Sequence, residues 1–213
     1  NDGGSTITAL TLDMSDAGKA LFNAGATFAN NVSITTADNS PQLSLISTDA
    51  DENVGPEMDL YRNSSSPADG DILGRLVFNG ENDADEKIDY ANIQFRIADA
   101  SDGTEDAKLL VVKKTAGADV SVMASDATET VFNDSSIDLD FRVESNGNTH
   151  AIFVDGGNDV VGIGTSSPSS FNGGANNLVV GTGSGSEGIT IFAANDSNSA
   201  IFFADGDSTT TGQ

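Results

Sequence analysis

The groups in this chain that could do chemistry are 33 carboxylates and one histidine, His150; cysteine is absent. Without thiols there is neither a disulfide nor a thiol nucleophile. A lone histidine cannot build a multi-histidine metal site, so His150 reads as a structural polar residue. Its pH-linked alternative is three copies meeting on a threefold axis and titrating together. Carboxylate pairs could serve a glycosidase, but among 33 acids the separations of a retaining or inverting site arise by chance. A sugar-cleaving site also wants aromatic platforms, and the chain has no Trp and only Tyr61 and Tyr90. No catalytic residue is assigned, and the chain is expected not to be an enzyme.

Calcium is the ligand that the acidic turns come nearest to suiting. Asp49-Ala-Asp-Glu-Asn-Val-Gly55 begins like an EF-hand loop, yet its glycine falls one position late and Leu60 stands where the closing Glu belongs. Gly156-Gly-Asn-Asp159 is a scrap of the calcium β-roll nonapeptide without the tandem array. Both read as plain turns, so no metal ligand and no cofactor is assigned. Gly162-Ile-Gly164 lacks the third glycine and the helix of a dinucleotide site and also reads as a turn. Asn31-Val-Ser33 and Asn63-Ser-Ser65 match glycan acceptors, which matters only on a eukaryotic secretory route.

The elements available to position such residues are short. Leu, Ile, Val and Phe total 50 of 213 residues, few for a monomeric globule of this size. The expected remedy is a core shared with neighbouring chains. A net charge of −24 leaves no basic stripe for nucleic acid and disfavours an anionic membrane surface. It suits the solubility of a long particle with much exposed surface. No apolar run is long enough to span a membrane, and no signal peptide is recognisable.

The pattern predicts strands separated by Gly, Asn, Asp and Ser. Residues 1–40 read as an N-terminal shaft of short β repeats. Ile7 to Leu12 begins the pattern, and Ala20–Phe22, Ala26–Phe28 and Val32–Ile34 follow, with Met14 to Phe22 a loop rather than a helix. Residues 41–126 read as a central antiparallel module with strands at Pro41–Ser47, Glu57–Tyr61, Ile72–Asn79, Ile88–Ala98 and Ala107–Lys114. Seven of the nine basic residues lie there. Gln94, Arg96 and Ala98 alternate with Ile93, Phe95 and Ile97, which predicts a half-buried strand with its polar face in water. Residues 127–213 read as a C-terminal β-repeat shaft. In it Ile137 to Val143 alternates, and Ala151–Val154 turns at Asp155-Gly-Gly-Asn158 into Val160–Ile163. No convincing helix is found.

An imperfect repeat marks this last third. Val143-Glu-Ser-Asn-Gly-Asn-Thr-His-Ala-Ile-Phe-Val-Asp-Gly-Gly157 returns 49 residues later as Phe192-Ala-Ala-Asn-Asp-Ser-Asn-Ser-Ala-Ile-Phe-Phe-Ala-Asp-Gly206. His150 becomes Ser199, so the repeat does not require it. Repetition of this kind implies a stacked or elongated architecture, and its interruption near Gln213 suggests a fragment of a longer polypeptide.

Phe141-Arg-Val-Glu-Ser-Asn-Gly-Asn-Thr-His150, followed by Val161-Gly-Ile-Gly-Thr-Ser-Ser-Pro168, resembles tail-fibre proteins of tailed bacteriophages, especially marine and cyanobacterial ones. Ser64-Ser-Ser-Pro-Ala-Asp-Gly-Asp71 with Gly80-Glu-Asn82 and Asp102-Gly-Thr-Glu-Asp106 looks like a β module of the same fibres. Ala24-Gly-Ala-Thr-Phe-Ala-Asn-Asn-Val32 is similar to their shaft repeats. The resemblance covers most of the chain and implies a homotrimeric fibre in the virion. Such a fibre contacts other tail components and a host receptor, with polysaccharide one receptor class. The self-cleaving chaperone domain that follows the Gly-Ile-Gly-Thr repeats in many relatives has no matching positions here.

The expectation is an all-β, elongated, fibrous trimer with a β-helix or β-prism-like shaft and an inserted antiparallel module. Receptor-facing residues are expected in the module's loops 62–71, 81–87 and 99–106, at Asn63, Asp69, Asp71, Asn82, Asp83, Asp102 and Glu105. The alternatives are a bacterial extracellular adhesin or surface filament, and a calcium-dependent polysaccharide-degrading tailspike.

Overall fold

A computed structural model describes residues 26–201. The chain divides into two compact units, Asn1–Asp59 and Leu60–Gln213. The expected segments Ile7–Leu12, Met14–Phe22 and Ala20–Phe22, and the end of the second repeat from residue 202, lie outside the described residues.

In the first unit, the described residues 26–59 form neither strand nor helix and are exposed throughout. The strands expected at Ala26–Phe28, Val32–Ile34, Pro41–Ser47 and Glu57–Tyr61 do not form. The polar side chains take local backbone partners instead. The Asp38 carboxylate accepts from the Ser40 amide at 3.0 Å, and Asp51 accepts from the Asn53 amide at 2.9 Å. Asx turns of this kind compete with a ladder for the same amides.

Among the described residues of the second unit, nine strands form two sheets and there is almost no helix. The first sheet has five consecutive antiparallel strands: β1 (Ile72–Glu81), β2 (Lys87–Asp99), β3 (Asp106–Thr115), β4 (Ala118–Ser125) and β5 (Thr130–Phe132). The three predicted central strands form nearly as read. The chain missed by the pattern, β4, follows β3 through Ala116-Gly117, both at positive φ (48° and 82°). That is the backbone of a two-residue hairpin whose twist matches the strands. β5 pairs with β4, so this sheet runs past residue 126.

The second sheet contains β6 (Phe141–Val143), β7 (Ile152–Asp155), β8 (Val160–Ile163) and β9 (Leu178–Val180) in that order, with β8 and β9 parallel. A 3-10 turn, Pro168–Ser170, packs beside β8. Neither sheet closes into a barrel. The predicted β7–β8 hairpin is present, with Asp155 paired to Val160. The strand expected from Ile137 is cut down to β6. Asn133 holds both backbone groups of Ile137 with its side-chain amide (2.8 and 3.2 Å), so they are taken before a ladder can use them. Gly162 sits inside β8 rather than in a turn.

Among the described residues, buried apolar side chains are few: Leu110, Val120 and Ala124 in the first sheet, Phe153 and Val160 in the second, and Pro168 in the 3-10 turn. Phe132 and Phe141 stack at 5.1 Å where the two sheets meet.

The sequence repeat is not matched by a structural one in the described residues. The first copy pairs Val143 with Ile152 around a turn in which the Ser145 amide reaches the Asn148 carbonyl. In the second copy the equivalent positions 194 and 197 still form a turn, but Phe192 and Ile201 stay exposed and unpaired. In the first copy Val160-Val-Gly-Ile163 supplies the next strand; 49 residues on stands Thr209-Thr-Thr-Gly212, which offers no apolar face.

Gly156 is required by close approach, since a Cβ there would sit 2.5 Å from the Leu139 carbonyl oxygen. Gly147 has open space around it. Gly156→Ala is therefore expected to destabilise by about 1–3 kcal/mol, and Gly147→Ala to lie within about 0.5 kcal/mol of the parent. Urea unfolding at one fixed chain concentration checks both.

Candidate functional site

The first sheet carries the residues to which the sequence reading gave a function, and its register distributes them. β1 starts, and β2 ends, at one end of the sheet. There the loops 62–71 and 99–106 are joined: the Gly70 amide donates to Ile97 at 2.8 Å, and the Ala100 amide to the Asp69 carboxylate at 2.9 Å. Arg62 bonds the Ile72 carbonyl and pairs with Asp71, both at 3.0 Å. The β1–β2 loop lies at the opposite end, roughly 30 Å away along a ten-residue strand. Asn63, Asp69, Asp71, Asp102 and Glu105 are thus brought to one end, while Asn82 and Asp83 lie at the other.

Three of these seven residues hold their own loops. Asp69 and Asp71 tie loop to loop and loop to strand. Asn82 accepts from the Ala84 and Glu86 amides (3.0 and 2.9 Å) and donates to the Glu86 carboxylate at 2.9 Å. Asn63 has only a long 3.4 Å contact from the Tyr61 hydroxyl. The side chains of Asp83, Asp102 and Glu105 make no hydrogen bond among the described residues and are exposed.

The acidic turns are closed by their own chain. Asp155 accepts from the amide and the side chain of Asn158, at 3.0 and 2.9 Å. In the Asp49–Gly55 segment, Asp51 serves the Asn53 amide. Among the described residues, no group of three or more His, Asp or Glu side chains is placed to hold a metal ion. His150 is half-buried, edge-on to Phe153 at 5.2 Å, with Nδ1 2.9 Å from the Thr149 hydroxyl. It has a packing role within the second sheet. No helix among the described residues is long and apolar enough to cross a membrane.

The two faces of the first sheet reverse the expected burial. On β2, Asn92 and Gln94 are only 8% and 5% exposed, whereas Ile93 and Phe95 between them are 38% and 48% exposed. Leu76 faces Ile93 across β1, and Phe78, on the same face, is 57% exposed. The apolar face is therefore exposed along β1 and β2, and the amide face is the more buried one there. Alternation predicts one solvated face on β2, and the more exposed face is the one bearing Ile93 and Phe95. The sequence reading did not single out Arg75, Asn92 and Lys108, which converge with Arg96 on the enclosed face. The available signal was the crowding of seven basic residues into one module of a strongly acidic chain.

No protein-family model, no curated protein and no solved structure matches the chain.

Hydrogen bonds from Asn158, its side chain first, hold the Asp155 carboxyl below its ordinary value of 3.8, against a smaller opposing effect of burial. A carboxyl depressed on folding contributes stability that is full above its unfolded pKa and is lost as pH falls through the folded one. Asp155 is thus expected to stabilise the hairpin at all pH values above about 4–5 and to lose that contribution only in stronger acid. NMR titration should place the Asp155 midpoint below 3.8, and Asn158→Ala should move it upward.

Proposed function

We propose that this chain is a segment of a homotrimeric bacteriophage tail fibre, a structural virion protein that supports attachment to a host-cell receptor. The observation that carries the assembly is the exposed apolar face of β1 and β2: Leu76, Phe78, Ile93 and Phe95 form one patch and are each more than a third exposed. Exposed apolar faces of this kind are characteristic of surfaces that meet another chain. Three copies of one chain, related by a closed rotation, can bury three such faces on a shared axis without leaving an open end. The thin internal core and the exposed apolar residues before and within the second repeat copy, Ile189, Ile191, Phe192 and Ile201, support the same reading. The virion assignment rests on the tail-fibre resemblance of residues 64–106 and 141–168.

In this reading the chain works mechanically. It holds a receptor-contacting region away from the particle, and three copies per fibre raise avidity without strong single contacts. The large negative charge keeps assembled fibres apart.

Light scattering of the purified chain is expected to give a mass of three chains, unchanged by a calcium chelator. Ile93→Asp should reduce the trimer fraction about tenfold or more while leaving the circular dichroism of the monomer β-like, since a charge must then enter the shared interface. A folded monomer from the parent sequence would overturn the proposal, and collapse on chelation alone would turn it towards metal-held turns.

A further inference from the structure

The enclosed face of the first sheet holds an open groove of about 460 Å³. Three of the chain's nine basic residues, Arg75, Arg96 and Lys108, line it. Register brings them together: Arg96 lies directly opposite Lys108 on β3, and Arg75 lies opposite Gln94, the next residue along the same face of β2. Like charges directly opposite one another across a sheet repel. Lys108 has a distant partner in Asp126 at 3.7 Å, whereas Arg75 and Arg96 have no ion-pair partner among the described residues. Two acids also line the groove. Asp119 is already paired with Lys114 at 2.7 Å, and Asp134 is exposed.

Two buried polar atoms are left unpaired on these residues, the Asn92 side-chain oxygen and the Arg96 Nε. One is an acceptor and the other a donor. Leaving such groups without partners is costly. A simple carboxylate or phosphate could satisfy the guanidinium but brings no donor for Asn92. A sugar acid carries both, with a planar carboxylate beside hydroxyls that donate and accept. Guanidinium forks match a carboxylate, and the Asn92 and Gln94 amides and the Ser121 and Ser135 hydroxyls match neighbouring sugar hydroxyls.

We infer that this groove binds an acidic saccharide, with a uronate carboxylate held by Arg75 and Arg96 and its hydroxyls by Asn92 and Gln94. The inference deepens the fibre reading, and rests on it for the source of the ligand: the uronate belongs to a host-surface polysaccharide. The groove lies on the face opposite Ile93 and Phe95, so assembly through the apolar face leaves it accessible.

Calorimetric titration of the assembled chain with a galacturonate trisaccharide, its methyl ester and hexaglutamate tests this. The trisaccharide is expected to bind, and the uncharged ester and hexaglutamate to bind at least about tenfold more weakly. Arg75→Gln, at an exposed position on β1, should weaken trisaccharide binding by a similar factor with an unchanged unfolding temperature. No binding at millimolar ligand, equal binding of hexaglutamate, or indifference to Arg75→Gln would overturn the groove. Light scattering on the same sample separates the two readings: a trimer that ignores uronate overturns the groove alone, and a monomer that binds it overturns the fibre alone.

Discussion

The period of two in β2 governs much of this structure. A strand must send alternate side chains to opposite faces. Asn92, Gln94 and Arg96 therefore share one face, and Ile93, Phe95 and Ile97 the other. Only one face can be the better enclosed within a single sheet, and in this chain it is the amide face. From that follow both an apolar surface left open to other chains and a polar, cationic groove behind it. A slip of one residue would exchange the two, so the bulges that fix the β1–β2 and β2–β3 registers also fix which face is which.

The acids differ in their work. Asp51, Asp99, Asp126 and Asp155 accept hydrogen bonds from amides within a few residues, and each carboxyl is held below its ordinary value chiefly by those bonds. They close turns. Asp69, Asp71 and Asp119 instead tie loops or pair with a basic side chain, and Asp83, Asp102 and Glu105 are exposed. In the motifs that look like fragments of calcium loops, Asp51 and Asp155 accept hydrogen bonds from the backbone beside them. Asn133 and Asn82 act in the same way as amides, each organising a short loop from its own side chain.

The proposed fibre assembly and ligand capture would make opposite demands on one sheet, a dry face and a wet one. An antiparallel sheet with a single covered face meets both. The buried core among the described residues is small, with Leu110, Val120 and Ala124 in one sheet and Phe153 and Val160 in the other, and under the proposed assembly neighbouring chains would complete it.

Much was legible in the sequence. The lack of helix, β1 to β3, and the β7–β8 hairpin at Asp155-Gly-Gly-Asn158 follow from local alternation and turn chemistry, which depend on neighbouring residues alone. The residues that could have built a catalytic thiol or a histidine cluster are absent from the composition itself. What tertiary structure decided is pairing and burial. Whether Pro41–Ser47 becomes a strand depends on finding a partner, and among the described residues it has none. Whether Arg75, Arg96 and Lys108 meet depends on cross-strand register between residues up to 33 positions apart. Which face of β2 is enclosed depends on what folds over it. The alternation of residues carries no information on that choice, because it is symmetric between the two faces until a neighbour covers one of them.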